Sequence, residues 1–155
     1  IALTIRVGTY YGEKNWVAMR QVQWLGLATA TVLAVLTMLL LWFFKHEIVA
    51  LYTSEMQVSQ IAVYLVLFAI AYQLMDAWQI SAAGCLRGMQ DTKGPMWITM
   101  IAYWVIAFPV GVYLSRFTDM SAAGVWVGLI VGLSVACVLL LMRLYSNNKR
   151  LIQQA

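Results

Sequence analysis

The sequence predicts an all-α protein, a polytopic helical bundle that spans a membrane several times. Of its 155 residues, 63% are hydrophobic and 10% are charged, and the mean hydropathy is +0.80. Soluble domains are roughly 45–50% apolar and about 25% charged, so a water-soluble globule is excluded, and a disordered chain would need still more charge. Because lipid cannot satisfy backbone hydrogen bonds, continuous apolar runs of membrane length are expected to be helices.

Four charge-free runs define the predicted transmembrane helices. Each contains 20 to 24 residues, and they cover 21–44, 56–75, 94–115 and 120–142. A hydrocarbon core of about 30 Å needs roughly 20 helical residues, so each run predicts one span. We place the complete spans and a final cytoplasmic tail at about 22–44, 56–86, 95–115, 120–142 and 143–155.

The opening segment, 1–12, predicts the end of a fifth span. It is apolar but short, it does not begin with methionine, and it contains Arg6. A signal peptide would need a charged start and a longer apolar region, so this segment does not fit one. We therefore expect the chain to be a fragment of a larger membrane protein.

The distribution of basic residues predicts the orientation. Eight of the ten lie in 1–20, 87–93 or 143–155, and only Lys45 and Arg116 lie at the other ends of the spans. Cytoplasmic loops carry the excess of Lys and Arg, so both chain ends are predicted to be cytoplasmic, with loops around 45–55 and 116–120 outside. The basic residues form no single basic face, so we predict membrane lipid and no nucleic acid as a partner.

Small residues and one proline indicate how the helices pack. Glycines recur at intervals of four at 84 and 88 and again at 124, 128 and 132, a spacing that lets helix backbones approach closely. Pro109 lies inside the third complete span, where it removes a backbone donor from the carbonyl of Val105. A helix kink is expected there.

Asp76 is the only charged residue in 56–86, a stretch of 31 residues. An acidic side chain at the centre of a span costs about 2.5–3.5 kcal/mol, so such a residue usually faces the bundle interior and serves ion or proton movement. Tyr72, Gln73 and Gln79 lie near it at helical spacing and form, with Asp76, a polar stripe of oxygen-bearing groups suited to a hard cation or a proton.

Two placements of Asp76 remain open at this point. A span of 20 residues from 56 would end near Met75, which would leave Asp76 solvated and inert at the cytoplasmic interface. A helix that continues through Gly84 would place Asp76 inside the membrane, and the polar stripe favours this second placement.

Three segments resemble one family of transporters. They are RVGTYYG at 6–12, YQLMDAWQISAAGCLRGMQDTKGP at 72–95, and AYW at 102–104 followed by Pro109. Together they are similar to the C-terminal lobe of multidrug and toxic compound extrusion (MATE) transporters of the NorM type. The resemblance covers almost the whole chain, and it implies part of a twelve-helix, two-lobe protein that includes the end of the eighth helix and helices nine to twelve.

The resemblance also implies a function. MATE transporters export cationic amphipathic drugs in exchange for sodium ions or protons, so we expect an antiporter and no enzyme, in a bacterial inner membrane. By resemblance, Asp76 is the coupling carboxylate and Tyr72 a supporting ligand, with Na⁺ or H⁺ as the coupling ion and no other metal or cofactor. The family's further acidic ligand lies on the seventh helix, so the N-terminal lobe and the seventh helix are expected partners.

Two other functions compete with transport of drugs. A lipid-linked oligosaccharide flippase of the same superfamily would have a similar helix count, but it would need a more cationic lumen than the four spans offer. A structural membrane subunit without transport activity would require Asp76 to face solvent.

Overall fold

The computed structural model describes residues 1–52, 56–117 and 121–153. Within them the chain is helical except at Ile1 and at two corners, 13–15 and 89–92. A six-residue π-helical segment, Ala102–Ala107, joins the fourth helix to the fifth. The helices are α1 (Ala2–Gly12), α2 (Trp16–Tyr52), α3 (Met56–Gly88), α4 (Lys93–Ile101), α5 (Phe108–Phe117) and α6 (Ser121–Gln153).

The described chain has four stretches long and apolar enough to cross a membrane, which confirms the predicted all-α fold. They are Trp16–Leu51, Ile61–Gly88, Lys93–Phe117 and Ala123–Gln153. In the second, α3 continues past Met75 and Gly84, as the placement of Asp76 inside the membrane requires.

The helices are longer than the charge-free runs from which the spans were predicted. The segment 45–52 belongs to α2, and α6 continues through 143–153, where the sequence suggested a tail. A charged side chain does not end a helix, because the backbone hydrogen bonds continue until a residue leaves the helical conformation. Residues 116 and 117 of the second predicted outer loop belong to α5, and the remainder of the two loops, including Glu55 and Asp119, lies outside the described residues.

The two corners share one backbone design. Lys14 and Gln90 have positive φ angles, 54° and 63°. At the first corner the amide of Asn15 donates to the carbonyl of Tyr10, five residues earlier (3.0 Å). At the second corner the amide of Asp91 donates in the same way to the carbonyl of Leu86 (2.9 Å). This hydrogen bond around a left-handed residue is the Schellman ending of a helix. Both corners therefore reverse the chain tightly at the end of the bundle that carries most of the basic residues.

Helix α3 lies at the centre and packs against α1, α2 and α6. A tightly packed core gathers near the corners and includes Val7, Met19, Leu86 and Leu140, none of which is more than 1% exposed. At the other side of the bundle, many large apolar side chains of α2 are exposed. That distribution suits helices that face lipid or further helices rather than water.

Glycine positions mark the closest helix contacts, as the sequence predicted. A Cβ atom at Gly128 would lie 2.5 Å from the backbone of Gly111 on α5, and one at Gly88 would lie 2.6 Å from the carbonyl oxygen of Thr4 on α1. Real Cβ contacts are almost never shorter than 3.0 Å, so only glycine fits these two positions without movement.

Candidate functional site

Four polar side chains from two elements meet beside the middle of α3. Tyr72, Asp76 and Gln79 come from α3, and Tyr103 comes from the π-helical segment. The Tyr103 hydroxyl donates to Oε1 of Gln79 at 3.2 Å, and the Tyr72 hydroxyl lies close enough to Tyr103 to interact with it electrostatically. Asp76 lies one turn from Tyr72, close enough to interact with it electrostatically. We call these four residues the tyrosine–aspartate cluster.

The π-helical segment positions Tyr103. Pro109 has no amide hydrogen for the carbonyl of Val105, and next to it the α-helical hydrogen-bond pattern is interrupted, where the sequence predicted a kink. The amide of Phe108 instead donates to the carbonyl of Tyr103, one residue further back than in an α-helix. Such π-helical turns widen a helix locally and are frequent at functional sites. The π-helical turn therefore includes Tyr103, whose side chain contacts α3.

One hydrogen-bond direction in the tyrosine–aspartate cluster is fixed. A tyrosine hydroxyl has one hydrogen, and that of Tyr103 is donated to Gln79, so Tyr103 can only accept from Tyr72. Across the described residues, the Asp76 carboxylate has neither an ion-pair partner nor a hydrogen-bond donor. A small positive particle would complete this arrangement.

Gln73 is separated from the other residues of the predicted polar stripe. Its amide donates to Oγ1 of Thr37 on α2 at 3.2 Å. On the same side of α3, the Trp78 indole donates to Oγ1 of Thr31 at 2.8 Å. Residues of α3 that look like one stripe in the sequence therefore divide between two neighbours, Gln73 toward α2 and Gln79 toward the π-helical segment.

Tyr103 is the member of the cluster that sequence reasoning missed. It lies 24 positions from Gln79, and no helical periodicity connects two residues on different elements. The available signal was its position six residues before Pro109, in a span where a disturbed helix was already expected.

A second polar group lies at the corner between α3 and α4. Nε of Arg143 is 2.6 Å from Oδ2 of Asp91, which also accepts from Asn147 at 3.2 Å, while the Gly94 amide donates to Oδ1 at 3.2 Å. The hydrogen bond from Arg143 is the main reason that the pKa of Asp91 is lowered. This corner therefore ties α6 to the start of α4, and Asp91, which is paired, is unlike the unpaired Asp76.

Comparison with known proteins identifies the family. The MatE family model matches residues 1–113. The chain belongs to the MatE family. It is 72% identical over 155 residues, all of this chain and 34% of the relative, to a protein of Acinetobacter baylyi named "Probable multidrug resistance protein NorM". A Bacillus anthracis protein of the same name is 38% identical over 154 residues, 99% of this chain and 34% of its own length.

Solved structures of MATE transporters share the fold. An inward-facing multidrug resistance MATE family transporter of the MOP superfamily superposes with a TM-score of 0.90 at 15% identity, over 99% of this chain and 36% of that one. A eukaryotic MATE transporter gives 0.88 at 21% identity, over 99% of this chain and 34% of that one. The MatE chain thus spans about a third of the length of the relatives it matches, and it is part of a multi-pass membrane fold.

Proposed function

We propose that this MatE chain is part of a cation-coupled multidrug efflux antiporter in which Asp76 binds the coupling ion. The carrying observation is the Asp76 carboxylate, which lies one helical turn from Tyr72 and has no ion-pair partner or hydrogen-bond donor among the described residues. Family membership and the names of its relatives support export of drugs. Sodium or hydrogen ions are the proposed coupling ions, and cationic amphipathic compounds the proposed cargo.

The position of Asp76 along α3 supports a membrane location. It lies 12 residues before the end of the helix at Gly88, which corresponds to about 18 Å along the axis. The basic corner after Gly88 would sit in the headgroup region, and the hydrocarbon core is about 30 Å thick. Asp76 would then lie deep in the core, with both chain ends in the cytoplasm of a bacterial inner membrane.

Each residue of the tyrosine–aspartate cluster has a proposed role. Asp76 supplies the charge, and Tyr72 supplies a neutral oxygen ligand. Gln79 accepts the hydrogen of Tyr103, which leaves the lone pairs of the Tyr103 oxygen toward Tyr72. Oxygen ligands suit a hard cation such as sodium, and the same carboxylate can carry a proton. Gln73, bound to Thr37, is proposed to join α3 to α2 rather than to contact the ion.

Coupling would follow from competition between ion and drug. An ion at Asp76 stabilises one packing of the helices, a cationic drug stabilises another, and each shifts the equilibrium by its differential affinity. One charge that crosses 100 mV releases about 2.3 kcal/mol, and a tenfold gradient adds about 1.4 kcal/mol. For an uncharged drug the sum is on the order of 3.7 kcal/mol, enough to concentrate it several hundredfold. A monocation that leaves returns the electrical part, so its export draws only on the ion gradient and reaches about tenfold.

The decisive experiment replaces Asp76 with Asn in a transporter of full family length. A suitable protein is a chimera in which this chain replaces the corresponding third of the Acinetobacter baylyi relative, because 72% identity keeps the interfaces compatible. Efflux of a fluorescent cationic dye is followed in proteoliposomes after a sodium jump or a pH jump. We expect coupled efflux to fall at least tenfold and dye binding to become insensitive to both ions.

A matched control removes an acid elsewhere. Glu13 is exposed at the first corner, so Glu13→Gln removes the same charge without touching the cluster and should leave efflux unchanged. If Asp76→Asn transports the dye with the same response to sodium and pH as the parent, Asp76 is not the coupling residue and the proposed function of the cluster is wrong.

A further inference from the structure

A groove of about 800 Å³ runs between α2 and α6 and lies outside the tyrosine–aspartate cluster. Its floor is formed by Trp78 of α3, and its walls by the first half of α2 and the last turns of α6. Helices α2 and α6 hardly touch each other, and α3 lies behind both. The groove therefore opens to the side of the bundle.

The groove changes character along its length. At the outer end, near the basic corners, Arg20 and Lys149 form its rim, and both are exposed. Further in, the walls are apolar, with Leu27 and Ala28 on one side and Leu141 on the other. A site with cations at one end and an apolar channel at the other is complementary to an anion that carries a hydrocarbon tail.

The length of the groove corresponds to one leaflet. From Arg20 to Thr31 α2 advances 11 residues, about 16 Å, and Thr31 marks the inner end beside Trp78. Half of a hydrocarbon core of about 30 Å is about 15 Å. An acyl chain that starts at the rim would therefore reach the bilayer midplane at the end of the groove.

A polar atom at the rim has no partner. Oδ1 of Asn148 is buried and accepts no hydrogen bond from the part of the chain that is described, although its Nδ2 donates to Gln23 at 2.7 Å. Gln23 is itself only 2% exposed and lines the groove. Because this oxygen is shielded from solvent, it is not open to a ligand in the groove, and the charge at this end of the groove comes from Arg20 and Lys149.

We propose that this groove binds one anionic phospholipid, of the phosphatidylglycerol type. The phosphate lies between Arg20 and Lys149, and one acyl chain fills the apolar part as far as Trp78. The lipid adds to the hydrogen bond from Asn148 to Gln23 by filling the space that remains between α2 and α6. The site is independent of Asp76 and does not require the proposed transport mechanism.

The test measures lipid retained by the purified chimera in native mass spectrometry. The protein is exchanged into mixed micelles that contain phosphatidylglycerol, phosphatidylethanolamine or phosphatidylcholine with identical chains. We expect one phosphatidylglycerol to remain bound. Arg20→Gln/Lys149→Gln should weaken its retention about thirtyfold, the change expected for the loss of two basic residues near an anionic lipid.

Two controls separate the headgroup from the overall charge and from the tail. Lys14→Gln/Arg150→Gln removes the same charge beside the groove but not from its lining, and should retain the lipid. Ala28→Trp fills the apolar part and should displace the lipid, whereas Ala50→Trp, at an exposed position further along α2, should not.

Three outcomes would overturn the proposal. Equal retention of phosphatidylethanolamine or phosphatidylcholine would show that anionic charge is not recognised. Equal loss of lipid in the two double variants would show that only the net charge matters. If no lipid is retained and a cysteine at Ala28 is protected from a membrane-soluble maleimide, the groove is covered by another segment of the protein instead.

Discussion

The contact between α5 and α6 makes an asymmetric prediction for two glycines that face each other. A Cβ atom at Gly128 would lie 2.5 Å from the amide nitrogen and Cα of Gly111 and 2.8 Å from the carbonyl oxygen of Ala107. All three atoms are backbone, so no side chain can move aside. A Cβ atom at Gly111 would lie 3.6 Å from Val125 and 3.9 Å from Gly128, which is ordinary van der Waals contact.

The loss of stability expected for Gly128→Ala follows from these distances. To bring the new methyl group of Gly128→Ala to an ordinary distance of about 3.5 Å, the two helices must separate by about 1 Å, and a gap of this size forfeits a quarter to a half of each dispersion contact. Overpacking of this kind costs about 1–3 kcal/mol. The higher helix propensity of alanine returns up to about 1 kcal/mol, so we expect a net loss of about 1–2 kcal/mol.

Gly111→Ala keeps the propensity gain without the clash. We therefore expect it to leave stability unchanged or to raise it by up to about 1 kcal/mol. The free energy of unfolding would be measured for both variants and the parent by SDS titration in mixed micelles, with tryptophan fluorescence as the signal. A simple requirement for small residues at the contact would make both variants equally unstable. Equal losses, or a greater loss for Gly111→Ala, would refute the asymmetry of this helix contact.

Three further predictions concern the corner and the cluster. Arg143 lowers the pKa of Asp91, so this pair stabilises the fold above the unfolded pKa of about 3.9, and the contribution is lost as the pH falls through the lower folded pKa. We expect Asp91→Asn to cost about 0.5–1 kcal/mol at pH 7 and to remove this acid dependence of stability in SDS titrations at different pH. A variant that keeps the acid dependence would contradict the pairing of Asp91 with Arg143. Gln90 has a left-handed backbone conformation, so Gln90→Gly should relieve about 1 kcal/mol of backbone strain and raise the midpoint of thermal unfolding, and Gln90→Val should lower it. Identical midpoints for the two variants would argue against the Schellman ending at this corner. Tyr103→Phe removes the hydroxyl that donates to Gln79. We expect it to raise the sodium or proton concentration that gives half-maximal efflux about tenfold, without a change in dye affinity. An unchanged ion dependence of efflux would exclude Tyr103 from the ion site.

The sequence by itself determined the number and type of the membrane-crossing segments. Charge-free runs of span length allow only helices in lipid, and this requirement depends on composition along the chain rather than on contacts. It also determined that Tyr72 and Asp76 share a face of α3, because positions four apart in a helix always do. The sequence predicted the helix ends less well, because the charge-free runs end at charged residues whereas α2 and α6 continue beyond those residues.

Only the tertiary structure decided which polar residues meet. Gln73 and Gln79 are close in sequence, yet one contacts Thr37 of α2 and the other Tyr103 of the π-helical segment. The rotation and axial offset of one helix against another depend on how closely their backbones approach, and that approach is set by shape at contacts such as Gly111 with Gly128. Local sequence periodicity describes one helix at a time, so it carries no information on the register between two.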